Sequence, residues 1–284
     1  MDWFDKRVRK TIRKYSFFRS RENIVVAVSG GKDSLSALYY LKQLSKRVPN
    51  WHISALLIDE GIKGYREKTI KDFLRVVDVL NVPYRIVRFK DEIGATLDEI
   101  VKIGREKGLP YLPCTYCGVF RRYLLNKYAR EMGATVLVTA HNLDDIVQTF
   151  LMNILRNDLQ RISRLGPVTG VGEHPKFVRK VKLFYEIPEK EIVIYALLNG
   201  IFPETFVECP YAPLGMRWDI RTAINRWEEK HPGTKYAILR SLLQLLPLLQ
   251  KKYKGRPQTC KICGEPATGD ICRACELRRD LGLI

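Results

Sequence analysis

"IVVAVSGGKDSLSALYYLKQLSK", residues 24–46, changes character in the middle. "IVVAV" (24–28) is apolar and rich in β-branched residues, the composition of a short strand buried on both faces. "SLSALYYLKQLSK" (34–46) has the spacing of a helix. Between them stand Ser29, Gly30, Gly31, Lys32, Asp33 and Ser34. Glycines at a strand-to-helix turn let the backbone approach a ligand closely. The helix N-terminus that follows offers free N–H groups and a positive dipole end to phosphate. Lys32 adds a formal charge, and Ser29 and Ser34 add hydroxyls. The loop is neither a Walker loop nor a dinucleotide fingerprint, whose glycine spacings differ.

Working outward, strands and helices alternate. "ISALLID" (53–59), "YRIVRF" (84–89) and "TVLVTA" (135–140) read as strands. Helices are expected over roughly 65–80, near 95–107, from after Cys117 to about 131, and over 144–158. Residues 160–185 read as loop plus an outer strand, and 217–253 as mostly helical. This pattern predicts an α/β fold, a parallel sheet with helices on both faces. Ahead of it, 3–20 carries Phe4, Val8, Ile12 and Tyr15 at helical spacing with cations on the other face. The expected division is a basic amphipathic helix (1–22), a catalytic domain (23–215), a helical extension (216–256) and a small metal-binding tail (257–284), joined through "YKGRPQT" (253–259).

With 284 residues, 46% apolar and 28% charged, the composition is that of a globular protein large enough for a sizeable core. No apolar run is long enough to span a membrane, and the N-terminus has no secretory h-region, so a cytoplasmic protein is expected. The net charge of +18 favours a polyanionic partner, nucleic acid first. Eight of the first 21 residues are Lys or Arg. Lys251, Lys252, Lys254, Arg256, Arg273, Arg278 and Arg279 make the tail basic too.

Cysteine usage supplies the chemistry. Cys260, Cys263, Cys272 and Cys275 form two Cys-x2-Cys knuckles, the donor set of a closed structural Zn2+ site. Cys114, Cys117 and Cys209 remain. Three thiols cannot complete a tetrahedral zinc site, whereas an iron–sulfur cluster on three cysteines keeps one iron open. A persulfide and disulfide pair between Cys114 and Cys209, or inert buried thiols, are the other readings.

"VAVSGGKDS" (26–34), "LLIDEGIKGYR" (56–66), "PCTYCGVFRRYLLN" (113–126), "TAHNLDDIVQTFLMNILRND" (139–158) and "ECPYAP" (208–213) together resemble the PP-loop ATP pyrophosphatase superfamily, in its tRNA 2-thiouridine synthetase branch. The resemblance implies a Rossmann-like, adenine nucleotide alpha hydrolase-like domain with a zinc ribbon. It implies ATP and Mg2+ bound by Ala27, Ser29, Gly30, Gly31, Lys32, Asp33, Ser34, Asp59, Ala140, His141 and Asp145. Lys32, Arg121 and Asp145 are the catalytic positions it carries over, although an Arg at 121 cannot act as a base. Cys114, Cys117 and Cys209 become the ligands of a [4Fe–4S] cluster. The implied reaction adenylates the C2 oxygen of a tRNA uridine and then transfers sulfur, with the T-loop uridine favoured over the wobble uridine. The uridine has to leave its stack to be reached. Inorganic sulfide or a thiocarboxylated ubiquitin-like carrier is the implied donor, and a homodimer the implied assembly. Cluster-free persulfide thiolation, a non-thiolating PP-loop amidating ligase and an RNA-binding protein with a vestigial ATP site are the alternatives. Many members of the family carry a second zinc finger ahead of the basic helix. No cysteine precedes Cys114 here, so that RNA contact is expected either to come from the basic helix or to be missing.

Overall fold

The computed structural model describes residues 2–284 apart from 172, 173, 205, 206, 254 and 256. Lys254 and Arg256, two of the tail cations, lie outside the described residues, as does part of the 253–259 linker. The chain opens with α1 (Asp2–Lys14), then runs β1 (Glu22–Ala27), α2 (Lys32–Ser45), β2 (Trp51–Asp59), α3 (Arg66–Leu80) and β3 (Tyr84–Arg88). Next come α4 (Phe89–Glu92), α5 (Leu97–Glu106), α6 (Pro113–Glu131), β4 (Val136–Thr139), α7 (Leu143–Leu155) and α8 (Leu159–Ile162). After β5 (Val168–Thr169) and β6 (Lys180–Lys182) the chain is helical through α9 (Glu189–Leu198), α10 (Arg217–Lys230) and α11 (Thr234–Lys252). The tail is β7 (Gln258–Thr259), β8 (Pro266–Ala267) and α12 (Arg273–Leu281).

The main sheet has the order β3-β2-β1-β4-β6-β5. Every pairing is parallel except β5 with β6, so β5 is the outer strand expected within 160–185. The strand order reverses between β1 and β4. Ligands of open parallel sheets sit beyond the carboxyl ends of the strands at such a switch point. The glycine turn leaves β1 there, and the segment leading to Asp145 leaves β4 there.

Alternate strand residues face two different cores, as the pleat requires. Ile24, Val26 and Val138 pack with α1, α2, α3 and α9. Val25, Leu56 and Leu137 pack with α5, α6 and α12. A third cluster joins α7 to α10 and α11. Phe4 and Val8 of α1 are fully buried, and Phe4 stacks on Tyr195 with ring centroids 4.2 Å apart. The apolar stripe of α1 thus packs on the body.

Two local expectations change. α1 stops at Lys14 rather than running to 20, because Ser16 takes a left-handed φ of 49° and turns the chain toward β1. The helix expected after the cysteine pair instead contains it. Pro113 at the first turn of α6 has its φ preset for a helix start, so Cys114 and Cys117 sit one turn apart at the helix N-terminus. Among the described residues, no helix is long and apolar enough to cross a membrane.

Candidate active site

The glycine turn is closed by its own serines. The Ser29 N–H donates to Ser34 Oγ at 3.0 Å, and Ser34 Oγ–H donates to the Gly31 carbonyl at 2.9 Å. Gly30 holds φ +84°, and a Cβ there would meet the Thr69 carbonyl oxygen at 2.0 Å. The turn therefore lies flat against α3, and only glycine fits. Arg66, 3% exposed, fastens it. Its guanidinium donates to the Ser29 carbonyl at 2.8 Å and the Ile58 carbonyl at 2.5 Å, and it ion-pairs with Glu60 at 2.9 Å.

Lys32 points to Glu189 at the start of α9, with Nζ to Oε1 at 2.6 Å. Burial works against its charge, but Asp33 and Glu189 outweigh burial and hold the ammonium above its usual range. Asp33 accepts from Asn142 Nδ2 at 3.2 Å. Burial pushes the Asp33 carboxyl up to about 7 against the pull of Lys32, and Asp145 and Glu189 push the same way. Asp33 Oδ1 is buried and makes no hydrogen bond, with the Lys32 ammonium 3.4 Å away as its one counter-charge. A carboxylate gathered with Asp145 and Glu189 around a single lysine is what a divalent cation would satisfy further. The residues present therefore fit a magnesium ion entering with a nucleotide.

Asp145 and Asn142 make a capping box at the start of α7. Oδ2 of Asp145 accepts the Asn142 N–H, while Oδ1 receives Arg217 Nη1 at 3.2 Å. Arg217 also donates to Thr149 Oγ1 at 2.8 Å, so it ties α10 to α7. Asp144 points elsewhere. Buried, it ion-pairs with Lys235 and accepts the Glu189 N–H at 2.8 Å.

His141 follows β4 and its Nδ1 lies 2.9 Å from Thr139 Oγ1. Solvent reaches the ring, but protein surrounds most of it. That environment pushes its pKa down to about 4, with Lys182, Arg121 and Arg217 adding to the effect and Asp145 opposing it. At neutral pH it is an uncharged imidazole with one N–H to give. Ala27 ends β1, and Ala140 packs against the first core. Asp59 does not line the cleft; it accepts the Gly61 N–H at 2.9 Å and faces Arg66 and Arg88 at 3.9 Å.

Cys114 and Cys209 come from segments 95 residues apart, yet they line one cleft of about 1460 Å³ with Gly30–Asp33 and Asp145. Cys114 Sγ lies 3.9 Å from the Tyr211 carbonyl, two residues beyond Cys209. Burial pushes the Cys117 thiol up to about 11 against the pull of Arg121, and both other thiols add to the push. The Cys209 thiol is raised by burial as well, and Cys114 contributes. Free thiolates are costly here, and bound iron would supply the missing positive charge. The three sulfurs do not close to within 4.8 Å of one another, as ligands of a single ion do. Three neighbouring thiols that stop short of closing on one ion fit a cluster that keeps one iron open. Arg121 pairs with Glu60 at 3.5 Å, and Cys117 one turn before it is the main reason its pKa is raised.

Cys260, Cys263, Cys272 and Cys275 do bring their sulfurs within 4.8 Å of one another. The backbone N–H of Cys272 donates to Cys260 Sγ at 3.2 Å. Four converging thiols supply a complete tetrahedral donor set and fit a structural zinc. This ribbon docks on α6 through the Arg130–Glu265 ion pair, and Arg273 lies 4.9 Å above the Tyr111 ring.

The sequence motifs single out Lys32, Asp33, Asp145 and the cysteines. They do not reveal Arg66, Asn142, Glu189 and Arg217, which position them. Asn142 carries a readable signal, an N-cap three residues before an acid. The others carry none, because their partners lie far along the chain.

A family model described as the PP-loop domain matches residues 3–200. The probable sulfurtransferase of Methanocaldococcus jannaschii is 41% identical over 275 residues, covering 95% of this chain and 78% of that protein. The tRNA-5-methyluridine(54) 2-sulfurtransferase of Pyrococcus horikoshii is 38% identical, covering 97% and 84%. Among solved structures, the U34-tRNA thiolase NcsA from Methanococcus maripaludis with its [4Fe–4S] cluster superposes with a TM-score of 0.81 at 33% identity, covering 99% of this chain and 89% of that one. The order of the sheet, the flattened glycine turn at its switch point and these likenesses agree: the chain belongs to the PP-loop family, in its tRNA 2-thiolation branch.

Proposed function

We propose that this protein is a tRNA uridine 2-sulfurtransferase that forms AMP and pyrophosphate. One observation carries the reading: the phosphate-binding turn and the thiols of Cys114 and Cys209 open into the same cleft. Activation and sulfur delivery can then act on one base.

In this reading the N–H groups after Gly30 and the Lys32 ammonium hold the ATP phosphates, and Asp33 and Asp145 hold magnesium. Lys32 leaves Glu189 to do so. The uracil O2 attacks the α-phosphorus and pyrophosphate departs, leaving an O-adenylated base. Hydrosulfide then adds to C2 and AMP leaves with the former O2. Arg121, cationic beside Cys117, steadies negative charge on that side of the cleft. A [4Fe–4S] cluster on Cys114, Cys117 and Cys209 has one iron without a protein thiolate and supplies a binding place for sulfide. The tail holds zinc as a staple. The division at 22, 215 and 256 is kept as the functional one, with 23–215 carrying the chemistry.

The T-loop uridine is the favoured target, supported by the relative named for position 54. The wobble uridine is the second reading, favoured by the neighbour named for U34. Sulfide or a thiocarboxylated carrier donates sulfur, the working form is a homodimer, and the compartment is the cytoplasm, the last supported by relatives named as cytoplasmic.

The test combines tRNA-dependent pyrophosphate release, thionucleoside mapping and iron content on protein purified without oxygen. Cys114→Ser, Cys117→Ser and Cys209→Ser each lose iron and thiolation while pyrophosphate release survives. Thiolation that persists in all three, without iron, overturns the cluster. Mapping the thionucleoside to position 34 replaces the T-loop assignment.

A further inference from the structure

The most basic run in the sequence is α1, but it is not where the cleft is. α1 packs on the core formed by α2, α3 and α9, whereas α6 and the ribbon occupy the opposite face of the sheet. No α1 residue lines the cleft. Three of its cations are already engaged: Arg7 with Glu191 at 2.8 Å, Arg9 with Asp5 at 2.7 Å and Lys14 with Glu186 at 2.5 Å.

The cleft wall differs. Arg122, Arg156, Arg161 and Arg164 all line it, from α6 and from the α7–α8 region. All four are exposed. Arg122, Arg156 and Arg164 make no ion pair with a carboxylate among the described residues; Arg161 has Asp158 at 3.0 Å. Gathering unpaired guanidiniums on one wall costs electrostatic energy in the free protein, and a polyanion lying along it offsets that cost. The other arginines of the cleft are committed: Arg217 to Asp145, Arg221 to Glu189 and Glu208, and Arg273 to Glu276. Arg122 lines the same cleft as Cys114 and Cys209, so a backbone phosphate held there keeps the strand in the cleft that holds those thiols.

We propose that Arg122, Arg156 and Arg164, with Arg161 beside them held by Asp158, form the wall that grips the sugar-phosphate backbone of the RNA next to the target base, and that α1 does not. This rests on the tRNA-modifying reading above. The wall contacts phosphates and carries no base readout, so it sets affinity and register.

The experiment is binding of an unmodified tRNA transcript over a series of KCl concentrations. The proteins compared are wild type, Arg156→Ala/Arg164→Ala, Arg156→Lys/Arg164→Lys and Lys6→Ala/Lys10→Ala/Arg13→Ala. The alanine wall variant flattens the slope of log affinity against log salt by roughly 0.7–0.9 for each phosphate it no longer neutralises. The lysine variant keeps the slope, the α1 variant matches wild type, and ATP affinity and melting temperature stay level in all. An unmoved slope in the alanine wall variant, or flattening by the α1 variant instead, overturns the wall and leaves the tRNA reading intact. A wild type that binds no transcript at any salt overturns the tRNA reading and the wall with it.

Discussion

Lys32 Nζ lies 2.6 Å from Glu189 Oε1, although the two residues are 157 apart in the chain. The lysine of the glycine turn is thus held by an acid at the start of α9, and in the proposed function an incoming triphosphate displaces that acid. Glu189→Gln keeps the shape of the side chain and removes its charge. It is expected to tighten ATP binding by about 1 kcal/mol, roughly fivefold. Lys32→Ala is expected to abolish measurable ATP binding. Equilibrium ATP binding checks both, and weaker binding by Glu189→Gln would show that the acid positions the lysine.

Gly30 rests against Thr69. A Cβ placed 2.0 Å from a backbone oxygen cannot be absorbed by a side-chain rotation, and the left-handed φ adds strain. Gly30→Ala is expected to cost about 3 kcal/mol of stability or to shift the turn and lose ATP binding. Gly31→Ala is the control, because a Cβ there meets nothing closer than Ser29 Oγ at 3.6 Å. Denaturant midpoints separate the two.

The His141 ring stays neutral in the folded protein down to about pH 4. The unfolded chain protonates it below about 6.5. Between those values the unfolded state binds the extra proton, so stability falls as pH drops through that window. His141→Asn is expected to lose less stability than wild type between about pH 7 and about pH 5. Because solvent reaches the ring, the difference is expected to be smaller than full burial would give. Urea midpoints at both pH values measure it, and parallel losses would remove His141 from the account.

The tail ribbon leans on α6 through Arg130 and Glu265 and contributes Arg273 to the cleft. Cys272→Ser, or a strong chelator, is expected to remove one zinc per chain and lower the melting temperature by several degrees. ATP binding at the glycine turn is expected to survive. Metal analysis with calorimetry tests this, and an unchanged zinc content would show that the four thiols hold no metal.

The helix that carries Cys114 and Cys117 shows how far local reading reaches. The Cys-x2-Cys spacing and the Pro113 start signal are both in the sequence, yet local pattern puts the pair ahead of the helix, not within its first turn. A proline at a first helical position and a proline in an extended approach look alike until the following residues pack, as Tyr116 and Phe120 do here. The shortening of α1 has a similar source. Phe17 and Phe18 keep the apolar pattern going, and the tertiary core takes Phe17 from a turn.

By itself the sequence determined the alternating strands and helices, the glycine turn between β1 and α2, the four-cysteine ribbon and the candidate set Lys32, Asp33 and Asp145. Those features are carried by neighbours within a few residues of each other: periodicity, glycine at a positive φ, ligand spacing. The tertiary structure decided the rest. It placed Cys209 beside Cys114 and gave Lys32 to Glu189. It pinned the turn with Arg66, drew Arg217 to Asp145, and set the unpaired arginines on the cleft while α1 lies on the other face. Each of those pairings joins segments whose distance is fixed by strand order and by which face of the sheet a helix covers. Local preference carries no record of either.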